Sequence, residues 1–280
     1  MQYRTDLALE HCENEAGLPD GVSISRYEQG NISIEAVEFQ DETAGKPPGR
    51  YITVTVPSLS APHMLEDAEI ECVAQELRTM LPQSGTVLVI GLGNERITPD
   101  AIGPRCAGQI IATRHLDCEA AKLLGSLRPV AAISPGVLGQ TGMESAEVVR
   151  ALTEQLEPCA VIVVDALAAR STARLGRTIQ ISDNGISPGS GVMNTRCELS
   201  QRTLGIPVIA VGVPTVVDAA TLAGDIAGDN ETESAETSGM MVTPRDIDQL
   251  ISHAGNTLSL IINRAVQSDL SLELIAYLMN

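Results

Sequence analysis

Two apolar runs constrain this 280-residue chain more than anything else in it: Thr86-Val-Leu-Val-Ile90 and Ala160-Val-Ile-Val-Val164. Neither alternates with polar residues, so each reads as a strand buried on both faces, the pattern of a parallel sheet with helices on either side. The first opens into Gly91-Leu-Gly-Asn94 and the second closes on Asp165. Val130–Ile133, Thr178–Ser182 and Pro207–Val213 read as further strands. Thr98-Pro99-Asp100 and Thr243-Pro244 pair a capping Thr with a Pro suited to a first helical position, and predict helices from Pro99 and over 244–262, with another over 265–279. Thr141-Gly-Met-Glu144 has capping-box spacing and predicts a helix through Leu152. Glu66–Met80 carries Ile70, Val73, Ala74, Leu77 and Met80 at helical intervals. Ser23–Tyr27, Ile32–Phe39 and Tyr51–Val56 read as short strands between Gly and Pro. The expected fold is a single α/β domain over 1–280. It is a three-layer arrangement around a mostly parallel twisted sheet, with an α/β core over 66–280 and a β-rich N-terminal elaboration over 7–65.

Such a core has to be built from Val, Ile, Leu and Ala, because the chain has no Trp, one Phe and four Tyr. Lys and Arg number 18 against 36 Asp and Glu, a net charge of −18, which argues against a nucleic-acid partner. The longest apolar runs are of strand length, so no membrane span is expected, and Met1-Gln-Tyr-Arg-Thr-Asp6 lacks the pattern of a signal peptide. The six cysteines (12, 72, 106, 118, 159 and 197) form no CxxC pair and read as free, mostly buried thiols of an intracellular protein. The stretch 183–196 is too rich in Gly and Ser for regular structure. The stretch 224–239 concentrates acids without matching cations and reads as a solvated insertion.

Several familiar chemistries fail on their own terms. The Gly91-x-Gly93 loop lacks the third glycine of a dinucleotide site, since Arg96 stands there. Gly185-Ile-Ser187-Pro-Gly189 matches G-x-S-x-G, but Pro188 and the glycines after Ser187 forbid the helix a nucleophile elbow needs, and His253 is only a distant base. His11, His63, His115 and His253 show no metal-site spacing, and Cys106 falls inside an expected helix as a structural thiol. Two acids remain. Asp100 lies at the first turn after one buried strand and Asp165 at the end of the other, and ligands in such sheets bind beyond the carboxyl ends of the strands. Neighbouring carboxylates do not ionise together easily, so one holds a proton while the other acts as base; a helix N-terminus favours Asp100 as base and leaves Asp165 as proton donor. Each also has a plain structural alternative, a helix cap for Asp100 and a turn tie for Asp165.

At these residues the sequence resembles a known family. Gly91-Leu-Gly-Asn-Glu-Arg-Ile-Thr-Pro-Asp-Ala-Ile-Gly-Pro104 is similar to the signature of the spore germination proteases, endopeptidases that degrade small acid-soluble spore proteins in germinating spores. The resemblance continues through Arg4-Thr-Asp-Leu-Ala8, Ile133-Ser-Pro-Gly-Val-Leu-Gly-Gln-Thr-Gly142, Asp165-Ala-Leu-Ala-Ala-Arg170, Pro188-Gly-Ser-Gly191 and Gly212-Val-Pro-Thr-Val-Val-Asp218. It implies a fold like that of hydrogenase maturation endopeptidases and a catalytic pair at Asp100 and Asp165. It also implies a homotetrameric zymogen in the cytoplasm of the spore core that trims its own N-terminus, with spore proteins as substrates. The relatives cut at an acidic residue followed by a large apolar residue and Ala. Asp6-Leu7-Ala8 has that order, so Asp6 and Leu7 form the expected processing site, with 1–6 as an unusually short propeptide whose frayed end a neighbour's active site can reach.

The loops holding Gly91, Gly93 and Asn94, then Gly136 and Gly139, then Ser187 and Gly189, are the expected substrate-binding elements, offering backbone N–H groups to a peptide or its oxyanion. No cofactor and no metal are expected. The alternatives are a metal-dependent maturation-type endopeptidase and a spore-protein binding module without activity.

Overall fold

The computed structural model describes residues 5–7, 21–41, 47–61, 65–117, 125, 127–189, 197–227 and 239–279. Among these, nine strands form one sheet: β1 (Val22–Gln29), β2 (Ile32–Phe39), β3 (Gly49–Thr55), β4 (Val87–Gly91), β5 (Val130–Ile133), β6 (Ala160–Ala169), β7 (Thr178–Ser182), β8 (Val208–Asp218) and β9 (Met241–Val242). Their order is β1-β2-β3-β7-β8-β6-β4-β5, with β9 added on β8. The half β8-β6-β4-β5 is parallel, and every pairing from β8 through β7 to β1 is antiparallel. The N-terminal strands are thus an extension of the same sheet, joined where Tyr51 of β3 faces Ser182 of β7. The sheet is mixed, with its parallel part confined to the half that carries the two apolar runs.

Helices lie on both faces. They are α1 (Asp67–Thr79), α2 (Ile102–Ala107), α3 (Leu138–Thr141), α4 (Ser145–Leu156), α5 (Gln201–Leu204), α6 (Ala219–Ala227), α7 (Ile247–Val266) and α8 (Leu272–Leu278). Because strand side chains alternate, each buried run feeds two cores. Val87, Val89, Ile162 and Val164 pack with Ile70, Val73 and Leu77 of α1 and Leu250, Leu258 and Ile262 of α7. Leu88, Ile90, Val161 and Val163 pack with Ala146 and Val149 of α4 and with Leu199. That division is why neither run could carry polar residues.

Element ends depart from expectation in informative ways. Thr98-Pro99-Asp100 forms a single 3₁₀ turn capped by Ile97, and the α-helix begins only at Ile102. Thr243-Pro244 likewise precedes its helix, which starts at Ile247 with Asp246 at the N-cap. The capping box before α4 is Glu144 with Glu147, and the helix runs on to Leu156. The last helix is shorter than 265–279 because α7 continues to Val266 and Ser271 caps a new start. Most consequential is β6, expected to stop at Val164 but continuing to Ala169, so Asp165 is a mid-strand residue. Beside it β8 runs past Val213 to Asp218, whereas β4 ends at Gly91.

Two glycines set how α2 meets the sheet. A Cβ on Gly103 would stand 2.5 Å from the Val164 carbonyl oxygen and closer still to that of Leu92, and one on Gly91 would overlap the carbonyl of Gly103. Helix and strands touch backbone to backbone there. Gly103→Ala is therefore expected to destabilise the protein by about 1–3 kcal/mol through overpacking, read as a lower denaturation midpoint at unchanged slope in urea unfolding.

Candidate active site

Past Gly91 the sheet narrows, and the space left beside β6 is a cavity of about 380 Å³. Asp100, Asp165 and Asp6 all line it. Asp100 reaches it from the 3₁₀ turn that follows β4. Its backbone N–H bonds Ile97 O at 2.8 Å, and its Oδ2 accepts the Asn94 N–H at 2.7 Å. Gly93 permits this closure: its φ is +115°, and the volume a side chain would fill is taken by the Asp100 carbonyl. The loop is tied to β6 by the Leu92 N–H, which bonds Val164 O at 2.8 Å. Asp165 is one residue further along β6, 6% exposed, with Oδ1 accepting the Ala166 N–H at 2.9 Å. Two carboxylates from different segments thus line one cavity, each held by a backbone donor.

Of the expected peptide-binding residues, the structure brings Gly93, Ser187 and Gly189 to the cavity. Gly91, Asn94, Gly136 and Gly139 are not among its lining residues. Gly91 is packed under Gly103 and Ala107, so its lack of a side chain answers to helix packing. Asn94 acts through neighbours: besides its N–H on Asp100, its Oδ1 accepts from Gln140 Nε2 at 2.6 Å and so links this loop to α3. Gly136 adopts φ +73° in a turn, and Gly139 sits within α3.

Residues that sequence reasoning passed over also line the cavity, among them Ile97, Val137, Thr215, Met241 and Thr243. Ile97 is 54% exposed and forms an apolar rim. Met241 and Thr243 arrive because β9 pairs with the end of β8; a two-residue strand leaves no periodic signal.

The expectation of a frayed, accessible end at Asp6 and Leu7 is corrected. Leu7 is 0% exposed and packs with Leu167, Ala169 and Val217. Asp6 is bound twice to Ala168 of β6, its N–H to the carbonyl oxygen at 2.9 Å and its Oδ2 accepting the Ala168 N–H at 2.8 Å. Gln180 Nε2 adds a bond to Asp6 O at 3.1 Å. By strand alternation, the backbone of Ala168 faces the lane in which β4 has already ended, so residues 5–7 occupy the place of a missing strand. Met1–Arg4, residues 190–196 of the Gly/Ser-rich stretch and residues 228–238 of the acidic one lie outside the described residues.

The remaining candidates are structural. Cys106 is wholly buried, and burial pushes its thiol far above the ordinary range, so it is no nucleophile. His253 is engaged through Nδ1 with Ser60 O at 2.7 Å. Among the described residues no three His, Cys, Asp or Glu side chains converge as metal ligands. No helix among them is long and apolar enough to cross a membrane.

The cleft thus lies at the carboxyl edge of the parallel half of the sheet, where ligands of such sheets bind, and is lined by Asp100, Asp165 and Asp6. A sequence profile described as germination protease matches residues 4–228. The germination protease of Clostridium tetani is 39% identical over 316 aligned residues, covering 98% of each chain. That of Caldanaerobacter subterraneus is 40% identical over 97% of this chain and 96% of its own, and that of Bacillus licheniformis 41% identical over 79% and 65%. A solved [NiFe] hydrogenase maturation protease of Thermococcus kodakarensis superposes with a TM-score of 0.38 at 16% identity, over 67% of this chain and 98% of its own. The chain belongs to the germination protease family and is an endopeptidase.

The anchoring of Leu7 gives a direct test. Leu7→Ala removes a fully buried side chain from a small cluster and is expected to cost about 2–4 kcal/mol. Hydrogen exchange should localise the loosening to Leu167–Ala169. An unchanged melting temperature would mean that the Leu7 contacts contribute nothing.

Proposed function

We propose that this endopeptidase initiates the breakdown of small acid-soluble spore proteins during germination, with Asp100 and Asp165 as its catalytic residues. The observation that carries the reading is that both carboxylates line one cavity, each accepting a backbone N–H. Asp100, at the outer turn, takes a proton from a water molecule, and the resulting hydroxide attacks the scissile carbonyl carbon. Asp165 hands a proton to the amine as the C–N bond breaks, and one further proton transfer between the two carboxyl groups restores the starting state. Gly93, Ser187 and Gly189 are the candidates to present N–H groups to the oxyanion. Among the described residues no third His, Cys, Asp or Glu joins the two carboxylates as a metal ligand, and two carboxylates alone are a poor transition-metal site, so no step is routed through a metal.

Asp100→Asn and Asp165→Asn should each lower cleavage of a purified spore protein by about 10²–10⁴-fold without unfolding the enzyme. Ser187→Ala should keep its activity, and so should the parent in EDTA or phenanthroline. Substantial activity in either folded Asn variant removes that residue from the mechanism. A dead, folded Ser187→Ala protein turns the reading toward a serine hydrolase, and activity lost to a chelator and restored by one metal ion turns it toward a metallopeptidase.

The same reading includes self-processing between Asp6 and Leu7 within a zymogen that assembles as a homotetramer in the spore core. Its support is that Asp6 already lies in the cavity with the acid pair, and that Asp6-Leu7-Ala8 has the acid, apolar, Ala order of the sites relatives cut. Mass spectrometry of intact protein before and after activation should show the active form beginning at Leu7, with the Asp100→Asn variant keeping Met1. A fully active enzyme that retains Met1 or Gln2 would remove the processing step.

A further inference from the structure

Thr215 is the extra residue of a β-bulge. In the β6–β8 register Leu167 faces Pro214 and Ala168 faces Val216, and Thr215 has no opposite number. The bulge reverses the facing of β8. Ile209, Val211 and Val213 pack toward α1 and α7, whereas Val217, also odd-numbered, packs with Leu167 and Leu7 on the other face. Thr215 itself is 0% exposed, and its Oγ1 is shut off from solvent without a hydrogen-bond partner. Among the described residues the other side chains with such an orphan atom are Arg50, Thr53, Glu144 and Ser200, and none of them lines the cavity; Thr215 does.

A buried hydroxyl without a partner weakens a fold, and Val has the same shape without that cost. The hydroxyl therefore needs a reason that the resting molecule does not supply. A turn about χ1 from one staggered well to another is enough to redirect Oγ1, and the hydroxyl can donate one hydrogen bond and accept two. Peptide backbone already enters this cavity, since Ala168, whose partner Val216 adjoins Thr215, holds the backbone of Asp6 along its other edge.

We propose that Thr215 is a substrate-contact residue: its hydroxyl hydrogen-bonds a main-chain amide group of the extended peptide that occupies the cavity. The proposal rests on the proteolytic reading of that cavity. Thr215 lies two to three residues past Asp165 along the strands, on the order of 7–10 Å, so it holds the peptide beside the reacting bond and takes no part in proton transfer. Its loss shows in KM and leaves kcat alone.

The test is steady-state cleavage of a purified small acid-soluble spore protein by the full chain and its Thr215→Val, Thr215→Ser and Thr215→Ala variants, with melting temperatures alongside. Thr215→Val should raise KM roughly tenfold, the worth of one hydrogen bond, with kcat within about threefold of the parent and the melting temperature equal or higher. Thr215→Ser should keep the parent KM. If the Val variant does not fold, the Ser and Ala variants differ by the hydroxyl alone and carry the same comparison. A parental KM in Thr215→Val, or equal KM values for Ser and Ala, overturns the contact while leaving the peptidase intact. A parent that cleaves no spore protein overturns the proteolytic reading and the contact with it.

Discussion

The contact on which the site depends is the one between backbones at Gly91 and Gly103. With no side chain on either residue, α2 descends onto the end of β4 until the Cα of Gly103 meets the carbonyl oxygens of Leu92 and Val164, and the Gly103 carbonyl meets Gly91. The turn carrying Asp100 is the lead-in to that helix, so its height above the sheet is set by this approach. Gly93 and the Asn94 N–H then close the loop onto Asp100, and the Leu92 N–H clamps it to Val164, the residue before Asp165. Two acids 65 positions apart in the chain (165 − 100) come to one cavity because backbone packs on backbone without adjustable side chains between. Interiors packed at this density do not deform gradually, so the two carboxyl groups are held on a stiff support.

Unequal strand lengths supply the rest. β4 stops at Gly91 while β6 and β8 continue to Ala169 and Asp218. Beyond that point one edge of β6 has lost its neighbour, and an unpaired edge is a template for another strand. Here Asp6 takes it, through Ala168. A peptidase gains from such an edge because main-chain bonding holds an extended peptide whatever its side chains, and neighbouring pockets add the selectivity.

What could be read in the sequence followed burial on both faces. The runs at 86–90 and 160–164 and the helical spacing of 66–80 correspond to β4, β6 and α1, since each is decided by local apolar pattern. The continuation of β6 was not legible: Asp165-Ala-Leu-Ala-Ala169 has no β-branched residue, and a polar residue after an apolar run ordinarily marks its end. Nor could the seat of Leu7 be read, since its partners lie at Leu167, Ala169 and Val217. That Asp100 and Asp165 come to one cavity was legible because an acid at the carboxyl edge of a parallel sheet is a positional statement. The glycines were sorted less well, because turn, packing and ligand contact all ask for the same missing side chain; only the neighbours of each Cα separate Gly91 from Gly93.

Three breaks of local rules fall in one region. An Asp sits mid-strand at 165, a Pro stands in a strand flanked on both sides at 214, and Thr215 is bulged with its hydroxyl unpaired. Pro cannot donate to a ladder and is tolerated inside a sheet chiefly at bulges, so Pro214 and the bulge explain one another. The bulge in turn explains why Val217 faces Leu7 and not the α7 side. None of these features helps the fold by itself, and each would be replaced by a better strand residue if stability were the only demand. They share a location beside Asp100 and Asp6, where departures from good strand chemistry are the usual mark of a functional demand on the fold.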